Sequence, residues 1–264
     1  MKLVTSRLLN EPAVHVTVSA TQGSAPREPG AWMLVFAHDE TGTIGGGHVE
    51  LEAIALAREM LRSNAREPQS RDYKLGPGLG QCCGGAMQLR FGFVDPGAAN
   101  AIEARLATKR MALALFGGGH VGRAIVNALG PLPFAVTWID SRDEIFPDSV
   151  PDNVNCEHSD PVQAAVTTLA AQSRVLVMSF SHAEDLDIVA ACLKRMREQD
   201  DLPYVGLIGS GTKWATFRHR LEARGFREEE LARITCPIGI AGIKGKQPEV
   251  IAASVVAQVL QLAP

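Results

Sequence analysis

The chain has 264 residues, 46% of them hydrophobic, a length and apolar content that favour two modest domains over one large core. Lys and Arg total 26 against 29 for Asp and Glu, so the formal net charge is -3 and no global field draws in a polyanion, which argues against nucleic acid as a partner. Met1 to Asn10 lacks a signal-peptide core and no stretch approaches the roughly 18 apolar residues that cross a bilayer, so a cytoplasmic protein without a membrane partner is expected.

In the first third, short apolar runs alternate with glycine-rich turns: Val14 to Ala20, Ala31 to Ala37 and Met87 to Val94 read as strands. His48 to Ser63 reads as a helix, with Leu51, Ile54, Ala55, Ala57, Met60 and Leu61 recurring at three and four residues. Asp95-Pro96-Gly97 is a turn signal, and residues 98–110 read as a helical connector after a domain of residues 1–97.

From Met111 the pattern becomes strand then helix, the sequence form of a parallel sheet. The predicted strands are Met111 to Phe116, Phe134 to Ile139, a weak one near Val154, Arg174 to Ser179 and Tyr204 to Ile208. The predicted helices are His120 to Leu129, Val162 to Ala171, Glu184 to Arg197 and Lys213 to Arg224. The expected fold class is α/β, with a Rossmann-type parallel-sheet domain over residues 111–235 and a smaller N-terminal α+β domain. In the remaining segment, 236–264, Pro248 opens a helix through Leu260 that is apolar over a wide face. Such a helix needs a surface to cover, and a homodimer contact or a return to the N-terminal domain is the expectation.

Chemistry concentrates in the turns. Gly117-Gly118-Gly119-His120-Val121-Gly122 follows an apolar strand and opens a helix, with Gly117, Gly119 and Gly122 in the positions that make a tight turn, admit a phosphate and let helix pack on strand. The second strand ends in Asp140, where a carboxylate can accept from ribose hydroxyls; Arg142 follows, in a position that tolerates a ribose phosphate or forms a surface ion pair. The plainer alternative is a strand-to-helix turn with a solvated aspartate. Two further loops are assigned to the same edge of the sheet. His182 stands as a proton donor or a ligand hydrogen bond; Ser210, Thr212 and Lys213 form either an anion cradle or an ordinary helix cap.

In the N-terminal third, Gly23 to Gly30 presents Arg27, which could pair with an anion. Thr43 to Glu50 presents His48, which binds a ligand or caps the next helix. Gly76 to Gly85 ends in Cys82 and Cys83. Neighbouring cysteines lie near 3.8 Å apart at Cα, below the 4.4–6.8 Å of an unstrained disulfide, so they suit the presentation of a thiolate or the packing of two small hydrophobes. The other cysteines, Cys156, Cys192 and Cys236, make an odd, scattered set of five, which speaks for reduced thiols.

With these loops together, the sequence resembles the xanthine dehydrogenase accessory proteins of the XdhC/CoxI family. The resemblance is carried by Gly23 to Gly30, Gly42 to His48, Leu79 to Gly85, Gly117 to Gly122, Trp138 to Arg142 and Cys236 to Gly239, and covers nearly the whole chain. Ser181 stands before His182 where a threonine is expected and keeps its hydroxyl. The resemblance implies a chaperone, without turnover of its own, for the molybdenum cofactor, molybdopterin. It would hold the cofactor while a cysteine desulfurase helps to sulfurate it, and would then itself insert the cofactor into the molybdenum subunit of xanthine dehydrogenase. Under it Cys82 is the metal-contacting candidate, and Cys83, Gly117, Gly119, His120, Gly122, Asp140, His182, Ser210, Lys213, Arg27 and His48 complete the expected cofactor site. The alternatives are an NAD(P)-dependent oxidoreductase with His182 as its acid-base group, which leaves Cys82 and Cys83 without a role, and a nucleotide-binding sensor.

Overall fold

The computed structural model describes residues 7–75, 84–98, 102 and 110–262. Two compact units result, Met1–Thr108 and Lys109–Pro264. Among the described residues no helix is long and apolar enough to cross a membrane.

The first unit is an antiparallel sheet with one helix on its face. Its strands are β1 (Ala13–Gln22), β2 (Trp32–Val35), β3 (Glu40–Gly42), β4 (Gln69–Lys74) and β5 (Ala86–Val94), in the spatial order β3-β2-β1-β5-β4. Val14, Val16 and Val18 of β1 alternate inward and meet Val49, Ala53, Ala57 and Met60 of α1 (Gly47–Ser63). Each fully buried side chain of the size of Val or Met contributes about 1.5–3 kcal/mol, so this strip holds the helix to the sheet. Strands β3 and β4 form the two edges of the sheet and are polar and largely exposed, which hides them from an apolar-periodicity reading.

The second unit is a six-stranded parallel sheet. Strands β6 (Met111–Phe116), β7 (Phe134–Asp140), β8 (Val154–His158), β9 (Arg174–Val177), β10 (Tyr204–Leu207) and β11 (Ile234–Thr235) lie in the order β11-β10-β9-β6-β7-β8. Numbered within the unit this is 3-2-1-4-5-6, the doubly wound Rossmann order, whose switch point falls between β6 and β9. Central β6 is apolar throughout because both its faces are covered. Leu113 and Leu115 enter one core, with Ile125, Val126 and Leu129 of α2 (His120–Leu129), while Ala114 and Phe116 enter the other, with Leu186, Val189 and Leu193 of α3 (His182–Gln199).

After β10 come α4 (Gly211–Glu222), a short α5 (Glu228–Leu231) and finally α6 (Pro248–Gln261). Ala252, Val255, Val256 and Val259 of α6 join the α2 core. The apolar face of α6 is therefore covered inside its own unit, where the sequence pointed to a homodimer contact or the N-terminal domain. A second difference lies at Val162–Thr168, a 3-10 helix rather than an α-helix. The Thr167 and Thr168 hydroxyls donate to the carbonyls of Ala164 and Ala165, at 2.8 and 3.0 Å, and compete with the α-helical ladder.

Candidate functional site

Three loops leave the carboxyl ends of β6, β7 and β9, adjacent strands at the switch point. The first is the glycine turn. Gly117 has φ 124, a region that favours glycine, and a Cβ there would run into the Met178 carbonyl. A Cβ on Gly122 would meet the carbonyl of Gly117, so this glycine lets α2 pack against the turn, as the motif requires. Trp138 Nε1, buried, donates to that same Gly117 carbonyl at 3.0 Å and fixes the turn from β7.

Gly119 differs from both. It is the N-cap of α2, its φ of -69 suits any residue, and a Cβ built on it meets no atom within 4 Å. Nothing inside the chain requires a glycine here, and the space above it is open. No side chain caps α2, so its first N–H groups, including those of exposed His120 and of Val121, face that space without an intrahelical acceptor. The neighbouring helices are closed: Ser181 accepts from the N–H of Glu184 at the start of α3, and Ser210 from that of Lys213 at the start of α4, each at 3.2 Å.

Asp140, at the end of β7, is 3% exposed and faces the turn. Its Oδ2 accepts from the Gly118 N–H at 2.6 Å and from Arg142 Nη2 at 3.0 Å; its Oδ1 accepts from Arg142 Nε and from the Arg142 backbone N–H, each at 2.9 Å. Burial pushes this carboxyl up, but the hydrogen bonds from Arg142 and Gly118 outweigh it and hold the group below the usual carboxylate range. The ribose acceptor expected from sequence is thus engaged within the protein.

Lys213, expected in an anion cradle, is also turned inward. Its Nζ donates to Asp185 Oδ2 at 2.6 Å and to the Ile208 carbonyl at 2.8 Å, with the Lys213 and Asp185 side chains only 11% and 3% exposed. Asp185 Oδ1 takes the backbone N–H and hydroxyl of Ser179, so the pair ties the loop after β9 to α4. Ser210 caps, as the alternative reading had it. His182 is exposed and stands edge-on to Phe217 at 6.2 Å between centroids. Asp185 was not foreseen, because its partner is 28 positions away and no motif links the two. Cys236, which opens the last of the family motifs and follows β11, was given no role in the site; burial pushes its thiol up, against the pull of the nearby Lys213 cation.

In the first unit the three glycine motifs converge. A Cβ on Gly85 would strike the carbonyls of Gln22 and Ser24, and one on Gly45 would come within 2.7 Å of Pro26 Cβ. The loop from Gly23 to Gly30 therefore lies against both of the other motif loops. Glu50 fixes one of them, accepting from Thr43 Oγ1 at 2.5 Å and from the N–H groups of Ile44 and Gly46 at 2.8 and 3.1 Å. His48 does not cap α1; its Nε2 pairs with Glu52 at 3.0 Å. Arg27, partly exposed, lies 3.8 Å from Glu28. Cys82 and Cys83 fall outside the described residues, within a segment whose base is closed by the Leu75 N–H on the Gly85 carbonyl at 2.8 Å. Among the described residues no group of three potential metal ligands occurs.

Strand order, glycine turn and uncapped helix define a Rossmann-domain protein. Residues 113–259 match the model of the XdhC Rossmann domain and residues 7–73 that of the XdhC and CoxI family. The chain belongs to the XdhC and CoxI family. It shares its fold, at a TM-score of 0.78 and 19% identity, with a Bacillus halodurans protein whose crystal structure is described as that of a xanthine dehydrogenase, the match covering 98% of this chain and 94% of the other. Protein YqeB of Escherichia coli (strain K12) is 30% identical over 259 residues, 96% of this chain; the chain spans 44% of the length of YqeB.

Proposed function

We propose that the protein is a maturation factor for xanthine dehydrogenase: it binds the molybdenum cofactor, holds it while a cysteine desulfurase supplies sulfur, and passes it to the enzyme. The observation that carries this reading is the turn at Gly119, where open space lies over an uncapped helix N-terminus. A phosphate suits that place, since the N–H groups of His120 and Val121 and the helix dipole supply donors and partial positive charge without side-chain obstruction. In this reading the phosphate is that of the molybdenum cofactor. When bound, the cofactor supplies the molybdenum centre that the recipient enzyme uses for its redox chemistry.

This chain's own part is to bind and protect. The N–H groups at the start of α2 hold the phosphate end, and a thiolate at Cys82 is the group suited to a soft metal or its sulfur ligand. The Lys213–Asp185 pair keeps the rim of the turn rigid by joining two neighbouring loops.

Purification from cells that make the cofactor tests the proposal. Molybdenum and a pterin are expected to copurify in near-equal amounts with the protein. Copurification of NAD or NADP in their place would replace this reading with a nucleotide-dependent one.

A further inference from the structure

An ionised carboxylate is an acceptor only, with about four lone-pair sites on its two oxygens. Asp140 fills four: Oδ1 takes the Arg142 N–H and Nε, and Oδ2 takes the Gly118 N–H and Arg142 Nη2, all between 2.6 and 3.0 Å. In a dinucleotide site of this fold the acidic residue at the end of the second strand serves the ribose hydroxyls of the ligand. Here a diol arriving at the same place finds no acceptor free on Asp140, and the Arg142 guanidinium stands against both of its oxygens.

We infer that Asp140 and Arg142 make this turn selective against ribose-bearing ligands, so that it takes a phosphate ester without a ribose diol, with Arg142 as the barrier. This deepens the proposed function by naming the ligand class of the same site. The pair is well braced. Arg142 is held by two guanidinium nitrogens and lies 4.9 Å from the centroid of the Phe180 ring, on the loop after β9. The Arg142 side chain is 40% exposed, so its removal leaves no large cavity. Such removal would return two acceptor sites to Asp140, because the backbone N–H of residue 142 keeps its bond on Oδ1 and the Gly118 N–H keeps its own on Oδ2. The sites freed by the guanidinium itself are those of Nε and Nη2, one on each oxygen, enough for the two hydroxyls of a ribose.

The test uses NAD as probe, titrated into the wild-type protein, Arg142→Ala and the Arg142→Ala, Asp140→Ala double variant, with thermal melting as a check on folding. NAD should bind Arg142→Ala at least about tenfold more tightly than wild type, since hydrogen bonds from hydroxyls to a charged acceptor become available. The double variant should lose that gain. Equal or weaker NAD binding by Arg142→Ala, including no binding to either protein, would overturn the inference, as would a gain that persists without Asp140. Cofactor copurification with the wild-type protein is read separately, so the proposed function and this selectivity can fail independently.

Discussion

At Gly119 a side chain would enter open space, at a φ of -69 that valine tolerates, whereas Gly117 and Gly122 are fixed by backbone atoms of the chain itself. Gly119→Val should therefore keep the melting temperature of wild type within about 2 °C while abolishing molybdenum copurification. Gly122→Val should instead unfold the second unit, because its Cβ has no room beside the Gly117 carbonyl. A Gly119→Val protein that retains a full complement of molybdenum would remove the phosphate from this turn. Asp140 adds a pH dependence. Its folded carboxyl lies below its ordinary value of 3.8, so its contribution to stability is present above about that pH and is lost as pH falls through the lower folded value. Asp140→Asn should lack this component, and urea midpoints measured from pH 5 downward should fall less steeply for the variant. The glycine turn and Asp140 were legible in the sequence because their spacing follows from the geometry of strand, turn and helix. The pairing of Arg142 with Asp140, two residues before it, was one of the two readings its position offered; that of Lys213 with Asp185 was not legible, since an ion pair between loops leaves no periodic trace.

Elements divide along similar lines. Central strands such as β1 and β6 and the amphipathic α1 and α2 announce themselves through buried apolar positions. Short or polar elements do not: β3 and β4 face solvent along an edge, β11 has two residues, and α5 is a single turn. Helix α6 was legible as an element but not in its placement, because an apolar face specifies a partner's chemistry and not its identity. That partner is α2, and the contact is part of the core on one side of the parallel sheet. Val259, fully buried, is the test position. Val259→Ala removes two methyl groups' worth of burial and should lower stability by about 2 kcal/mol, read as a drop in urea midpoint at constant slope. A change below a few tenths of a kcal/mol would mean that α6 is not seated on α2 in solution.

On the scale of the whole molecule, each unit brings one kind of chemistry. The second offers an uncapped helix N-terminus; the first gathers three glycine motifs, one of which leads into Cys82 and Cys83. Motif spacing revealed those loops as special, while their convergence depended on which loops touch, as Gly45 does against the Pro26 ring and Gly85 against the Ser24 carbonyl. The Cys82→Ala, Cys83→Ala double variant is expected to melt as wild type does and to carry substantially less molybdenum; full retention would leave that loop without a ligand role. The most direct measurement for the central claim is transfer. Protein loaded with sulfurated cofactor is mixed with apo-xanthine dehydrogenase, and molybdenum content and enzyme activity are followed in the recipient. The account predicts that molybdenum leaves this protein, appears in the enzyme and restores activity faster than the same amount of free cofactor does. An enzyme that stays inactive, or that activates at the same rate with free cofactor alone, would contradict it.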